Sequence, residues 1–328
     1  MTSRRSERRL GEFELIARYF SPLSKTPGAL GLLDDVALLR VPARQELVVT
    51  ADAIVEGVHF LKIDPADSIA QKALRVNLSD LAAKGARPAG YLMCLALPAD
   101  RNTRWLRDFA RGLARDQRTF AVSLLGGDTS RTPGPLTIAI AALGYVDRGR
   151  LTSRGGARVG DLVFVSGTIG DAGAGLEMLK AKRSSRRALP LVERYRRPVP
   201  RLSLGMRLVG IANAAIDVSD GLVADLGHIA DVSGVHIVVD AARVPLSRAF
   251  RSEFGDGERA RLRAATSGDD YEVAFTCPGS KASRLSAAAR SSGVAITEIG
   301  RVEKGSGVLL RGTSGRPLRV ARRGYTHF

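Results

Sequence analysis

Apolar residues recur at helical spacing over 12–20, where Phe13, Ile16, Ala17 and Phe20 share one face. The spacing predicts a second, buried helix from Ile69 to Ala83, with Ala70, Ala73, Leu74, Leu78, Leu81 and Ala82 inward and a stop at Gly85. A third, amphipathic helix is predicted from Thr103 to Arg118, with Leu106, Phe109 and Leu113 inward. Runs of strand length lie between them: Leu47 to Thr50 leading into Asp52, Tyr91 to Leu97, Phe120 to Leu125, and Leu136 to Val146. Strand and helix alternate through this half. A polar stretch over 147–160, with Gly149, Gly155, Gly156 and Gly160, predicts the boundary between domains at 1–148 and 149–328.

The second half repeats the style. Leu162 to Val165 reads as a strand, followed by a glycine-rich turn and a helix through Leu179. Residues 181–200, basic and proline-containing, read as an exposed connection. A helix from Ser203 to Ala214 leads to a strand from Ala215 to Val218, then to Asp220-Gly221 and another helix. Val235 to Val239, Tyr271 to Thr276 and Ile296 to Val302 complete the predicted strands. Both halves are α/β by pattern.

Composition narrows the class. No apolar run reaches the roughly 18 residues of a membrane helix, and basic Met1 to Leu10 has no apolar segment behind it, so a cytoplasmic protein is expected. Cys94 and Cys277 sit in separate apolar runs and read as two buried, reduced thiols. The histidines, His59, His228, His236 and His327, are scattered and do not predict zinc. The net charge of +17 comes from arginine spread along the whole chain rather than from one basic stripe, so nucleic acid is not an expected partner.

Against that charge, the aspartates are placed unusually. Asp34 and Asp35, Asp52, Asp128, Asp217 and Asp220, and Asp269 and Asp270 gather where apolar strands are predicted to end. Singly, each suits a cap or a turn. Asp80 does not, because it lies inside an apolar helix pattern where an unpartnered carboxylate is costly to bury. Strand ends of α/β folds converge on a ligand-binding edge. Several carboxylates there need cations, and hard divalent ions with oxygen ligands, magnesium above all, suit polyphosphates. The usual nucleotide motifs are absent: no GxxxxGK[ST] and no protein-kinase set. The glycine run from Gly167 to Gly175 fails the GxGxxG spacing and offers either a flexible turn or a backbone cradle for phosphate.

Eight stretches carry a resemblance that covers nearly the whole chain: Gly11 to Phe20, Asp34 to Leu39, Val55 to Phe60, Lys72 to Ala83, Gly126 to Thr129, Ala215 to Leu222, Ser267 to Glu272, and Gly324 to Phe328. As an ordered set they resemble the thiamine-monophosphate kinase family. The resemblance implies two α/β domains, the N-terminal domains of two subunits forming a barrel in a homodimer. It implies direct in-line phosphoryl transfer from ATP to thiamine monophosphate with several magnesium ions and no dedicated base. Carried onto this chain, it implies Asp35, Thr50, Asp52, Asp80, Asp128, Asp217 and Asp220 as metal ligands. Gly127, Asp128, Arg154 and Ser219 are then expected to face ATP, and His59, Asp269 and Tyr325 the thiamine phosphate. The chain departs from the family pattern at Leu33, Ala51, Asp269 and the arginines before Gly324. Rival expectations are another ATP-using synthetase of the same superfamily, such as aminoimidazole ribonucleotide synthetase, and a catalytically silent protein that binds ATP or thiamine phosphates.

Overall fold

The computed structural model describes residues 11–183 and 186–326. The basic stretch Met1 to Leu10 and the final His327 and Phe328 lie outside the described residues. In chain order the first regular elements are α1 (Glu12–Leu15), β1 (Gln45–Val55), α2 (Ala66–Ala83), β2 (Arg87–Pro98), α3 (Thr103–Phe120), β3 (Leu124–Thr132) and β4 (Thr137–Asp147). There follow β5 (Leu162–Ser166), α4 (Asp171–Lys180), α5 (Leu189–Arg196), α6 (Leu202–Leu208), β6 (Ala214–Asp217), α7 (Leu222–Ser233) and β7 (His236–Asp240). The last are α8 (Arg248–Phe254), α9 (Glu258–Ala265), β8 (Val273–Cys277), α10 (Ala282–Ser292), β9 (Ile296–Glu303) and β10 (Gly307–Arg311). The protein is therefore α/β throughout, as the alternating pattern predicts.

Two sheets organise these elements. One has four strands in the order β1-β4-β2-β3, the other six in the order β10-β7-β9-β5-β8-β6. By backbone contacts the chain divides into two compact units. The first takes the described residues up to Arg40, Ala51–Leu74 and Ala89–Ala142. The second takes Val41–Thr50, Arg75–Pro88 and the described residues from Leu143 onward.

On β2 of the four-stranded sheet, burial alternates with the pleat from Tyr91 to Leu95. Tyr91, Met93 and Leu95 of β2 are buried, whereas Leu92 and Cys94 are exposed. On β1 the exposed large residues are Leu47 and Val49. Cys94 thus differs from the expected buried thiol: its position in the pleat, not its hydrophobic neighbourhood, decides its exposure. The six-stranded sheet is buried on both faces. Val163 and Val165 of β5 join a cluster with Ile216, Leu222 and Leu226. Phe164, between them, packs on the other side, its ring 5.4 Å from that of Phe275.

Several boundaries differ from the sequence reading. Phe120 does not begin a strand; it closes α3, whose C-cap Ala121 takes a left-handed backbone (φ 52°), and β3 starts only at Leu124. β1 and β3 run through their polar residues, so Asp52 and Asp128 lie inside strands rather than at their ends. The supposed connection at 181–200 contains α5, which buries Leu191, Val192 and Tyr195 behind a surface of arginines. The helix expected to reach Ala214 ends at Leu208, where Val209 is extended and Gly210 has φ 72°.

Candidate active site

Within the second unit, β6 is four buried residues ending in Asp217, which is 5% exposed. The chain then turns through Val218, Ser219, Asp220 and Gly221 into α7. Gly221 has φ 131°, and a side chain there would press on Thr266 and Ser267. Inside the first turns of α7, buried Asp225 accepts the N–H groups of Asp220 and Gly221 through one oxygen, each at 3.1 Å. Burial, and then the charge of Asp220, push the Asp225 carboxyl up to about 7. Ligand atoms of Asp220, Asp225 and His228 lie within 4.8 Å of one another. The main-chain N–H of Tyr325 donates to the Asp220 carbonyl at 2.9 Å.

The last turns of α2 supply a second group. Asp80 is half-buried, and the Thr50 hydroxyl donates to its Oδ2 at 2.5 Å. One helical turn later, the Lys84 ammonium donates to the carbonyl of Ala215 at 2.8 Å, two residues before Asp217. Burial and then the Arg154 charge push Lys84 down to about 8, against the opposite pull of Asp217 and Asp80. Lys84 is therefore the point at which the charges of Arg154, Asp217 and Asp80 meet, with Thr50 bonded to the last of them. The sequence reading missed Lys84 because a lysine after an apolar helix looks like a solvated end.

A third strand of this neighbourhood is the segment entering β8. The N–H of Asp269 donates to the Ser219 carbonyl, and that of Tyr271 to the Val218 carbonyl, both at 2.7 Å. Asp270 is buried, and its two oxygens accept the N–H groups of Gly170 (2.6 Å) and Ala172 (3.2 Å) at the start of α4. The glycine-rich turn is therefore not an open phosphate cradle at these two amides; the protein's own carboxylate fills it. Burial drives the Asp270 carboxyl upward, and the Gly170 N–H and then Arg194 oppose that. Glu272 is wholly buried between Arg194 (2.7 Å) and Arg201 (2.6 Å). Burial raises its pKa, but the Arg201 bond and charge, with Arg194, outweigh it and hold the carboxyl below the usual range.

The first unit holds the remaining residues singled out from the sequence. Asp35 is exposed just after the helical turn Pro27–Leu32, and Asp52 is exposed on β1. His59 is half-buried; its Nδ1 accepts the Val55 N–H at 3.0 Å, and its carbonyl accepts the Lys72 ammonium at 2.8 Å. Gly127 and Asp128 lie on β3 opposite Met93 and Cys94 of β2. Gly127 has φ 150°, and a Cβ on it would sit 1.9 Å from the Met93 carbonyl oxygen. Asp128 lines a cavity of about 700 Å³ with Arg101, Asn102, Ser130 and Arg131.

Chemically, the second-unit group offers hard oxygen donors: the Thr50 hydroxyl and the carboxylates of Asp80, Asp217 and Asp220. That donor set fits magnesium and lacks the sulfur or clustered imidazole of a zinc centre. Lys84 and Arg154 beside it suit anionic ligands.

The class defined by this fold is that of the AIR synthase related proteins. Residues 33–146 match the model of their N-terminal domain and residues 158–311 that of their C-terminal domain. Within it, the chain is 42% identical over 325 residues to the thiamine-monophosphate kinase of Caulobacter vibrioides, covering 96% of this chain and 90% of that protein. The crystal structure of thiamine-monophosphate kinase from Stenotrophomonas maltophilia K279a superposes with a TM-score of 0.84 at 41% identity, over 94% of this chain and 98% of that one. A structure described as AaThiL complexed with AMPPCP and TMP gives 0.78 at 35% identity, over 98% of this chain and 100% of that one. The chain belongs to the thiamine-monophosphate kinase family.

Proposed function

We propose that this protein transfers the terminal phosphoryl group of ATP directly to the phosphate of thiamine monophosphate, giving thiamine diphosphate, as a cytoplasmic homodimer. The relatives' name and the AMPPCP and TMP bound by AaThiL support the reaction. The observation in this chain that carries the reading is the Lys84 ammonium, bonded to the Ala215 carbonyl and under the charges of Arg154, Asp217 and Asp80, with the Thr50 hydroxyl on Asp80. The domain division proposed is 1–148 for ATP, metal and dimer contacts and 149–328 for completing the site.

The acceptor is a phosphate monoester carrying about −1.5 to −2 charges at neutral pH, so it is already a nucleophile and needs no dedicated base. The protein's task is to bring two anions into line. Magnesium held there would supply positive charge against the phosphate oxygens. Asp35, Thr50, Asp52, Asp80, Asp128, Asp217 and Asp220 are the residues proposed to hold it. Gly127, Asp128, Arg154 and Ser219 are proposed to face ATP. His59, Asp269 and Tyr325 are proposed to hold the acceptor; Tyr325 is tied to Asp220 through its main chain.

The test is ADP release from ATP and magnesium with thiamine monophosphate, thiamine, or aminoimidazole and formylglycinamidine ribonucleotides. Turnover is expected with thiamine monophosphate alone, and product analysis should show thiamine diphosphate. Preference for another acceptor would replace the reading with a different synthetase of this class. Tight binding of ATP and thiamine monophosphate without turnover would replace it with a silent binding protein.

A further inference from the structure

The segment from Gly268 to Glu272 contains two non-glycine residues in the left-handed region, Asp269 (φ 71°) and Tyr271 (φ 51°). Aspartate tolerates that conformation moderately well; a bulky, buried tyrosine seldom adopts it. Such backbone persists only where its surroundings over-determine it, and the usual place for it is a functional site.

Here the surroundings pull on alternate residues from opposite sides. The N–H groups of Asp269 and Tyr271 are bonded to the carbonyls of Ser219 and Val218. Between them, the Asp270 side chain reaches the other way and accepts Gly170 N–H and Ala172 N–H. Arg194 donates to the Asp270 carbonyl at 3.2 Å and to Glu272 at 2.7 Å, and so braces the same peptide from a third direction. The Ser166 hydroxyl and Arg201 complete the shell of Glu272 at 2.5 and 2.6 Å. Gly268 passes so close to Ser219 that a Cβ would lie 2.5 Å from its carbonyl oxygen. None of these groups needs to touch a substrate to matter. Together they decide where the side chain of Asp269 points.

We propose that Asp270 is a positioning residue: by tying its own peptide to the start of α4, it holds Asp269 in the left-handed conformation that directs the Asp269 carboxylate to the acceptor. This rests on the reading that Asp269 faces thiamine monophosphate. The consequence is a division of labour within one tripeptide. Asp269 contacts the acceptor, Asp270 sets its geometry, and Tyr271 returns the chain to β8.

The experiment is a double-mutant cycle of Asp270→Asn with Asp269→Ala. Asparagine offers one acceptor where two N–H groups require one each, so one buried amide loses its partner. In the otherwise native protein, Asp270→Asn should raise the KM for thiamine monophosphate by about tenfold or more and leave that for ATP within about twofold. On the Asp269→Ala background, the same change should add less than about threefold, because its target is already gone. Equal effects on both substrates, or full additivity, would overturn the proposal. Should Asp270→Asn not fold, Asp270→Glu, which keeps two acceptor oxygens but shifts them by one methylene from the Gly170 and Ala172 N–H groups, carries the same expectation. Hydrogen exchange separates this idea from the functional reading: the Asp269 and Tyr271 amides should lose protection in Asp270→Asn. Unchanged protection would sink the clamp even in an active enzyme. Lost protection in Asp270→Asn, together with a wild-type protein that never phosphorylates thiamine monophosphate, would sink the function and keep the clamp.

Discussion

At the scale of single residues, Lys84 is the sharpest departure from what a sequence discloses. The aspartates could be picked out because they stand against apolar runs in a basic chain, and Asp80 because no apolar helix needs it. The partners that give those carboxylates meaning could not. Lys84 reaches Ala215, more than a hundred residues along the chain, and Asp225 folds back onto the turn it follows. The Lys84 pairing depends on tertiary packing, which no local spacing encodes, and the Asp225 one, though local, on the exact turn through Asp220 and Gly221. Lys84 also makes a pH prediction. Its pKa falls from 10.5 to about 8 on folding, so between those values the folded chain binds fewer protons than the unfolded one. Stability contributed at this site therefore rises with pH across the window. The cost of its buried charge is present in full below about pH 8 and amounts to roughly 3 kcal/mol at most. Lys84→Met has no such charge. Denaturant unfolding of the metal-free proteins on either side of the window should show wild type gaining on the variant as pH rises. Parallel pH curves would show that the Lys84 ammonium is not desolvated by folding.

At the scale of elements, the pattern located long, periodic segments well and mislaid short ones. α2 and α3 were legible because each runs for 18 residues with a sustained apolar stripe. α5 was hidden because it is short, carries Pro190 in its first turn, and sets Glu193, Arg194 and Arg196 among the buried Leu191, Val192 and Tyr195. β3 was misplaced because everything after its first two residues, from Gly126 to Thr132, carries no apolar side chain, yet it pairs in parallel with β2 to its end. Backbone hydrogen bonding, rather than side-chain burial, defines that half. Gly127 is the residue this pairing cannot exchange. A Cβ there would meet Met93 oxygen at 1.9 Å and Met93 nitrogen at 2.9 Å, so β2 and β3 must separate locally to admit it. Gly127→Ala should cost about 3 kcal/mol or more. Gly149, with φ 70° and open space where a Cβ would go, isolates the backbone strain alone. Gly149→Ala should cost only about 1 kcal/mol. Calorimetric melting of the two variants checks the ranking; similar losses would mean that the strand pair yields without strain.

At the scale of the whole molecule, the four-stranded sheet poses the remaining question. Leu47 is 40% exposed, Val49 58% and Leu92 39%, and on β2 the alternate residues Tyr91, Met93 and Leu95 are buried. An antiparallel or mixed sheet can present one face to water, but that face then normally carries polar side chains. Here β1 and β2 offer leucine, valine, alanine and Cys94 instead. An apolar sheet face of this kind calls for a cover, and the homodimer proposed above would provide one: a second copy, related by twofold symmetry, whose equivalent face would close a barrel with this one. A stable dimer is therefore expected at micromolar concentration by light scattering. Val49→Asp places a charge in the middle of the proposed interface and should give a folded monomer with unchanged secondary structure. The cysteines supply an internal reporter. Cys277 is buried within the chain and should resist thiol reagents in both proteins, whereas Cys94 is open in a single copy. In the wild-type dimer Cys94 should react slowly, and in Val49→Asp it should react at the rate of a free thiol. A wild-type protein that scatters as a monomer and exposes Cys94 to rapid labelling would show that nothing of its own kind covers this face.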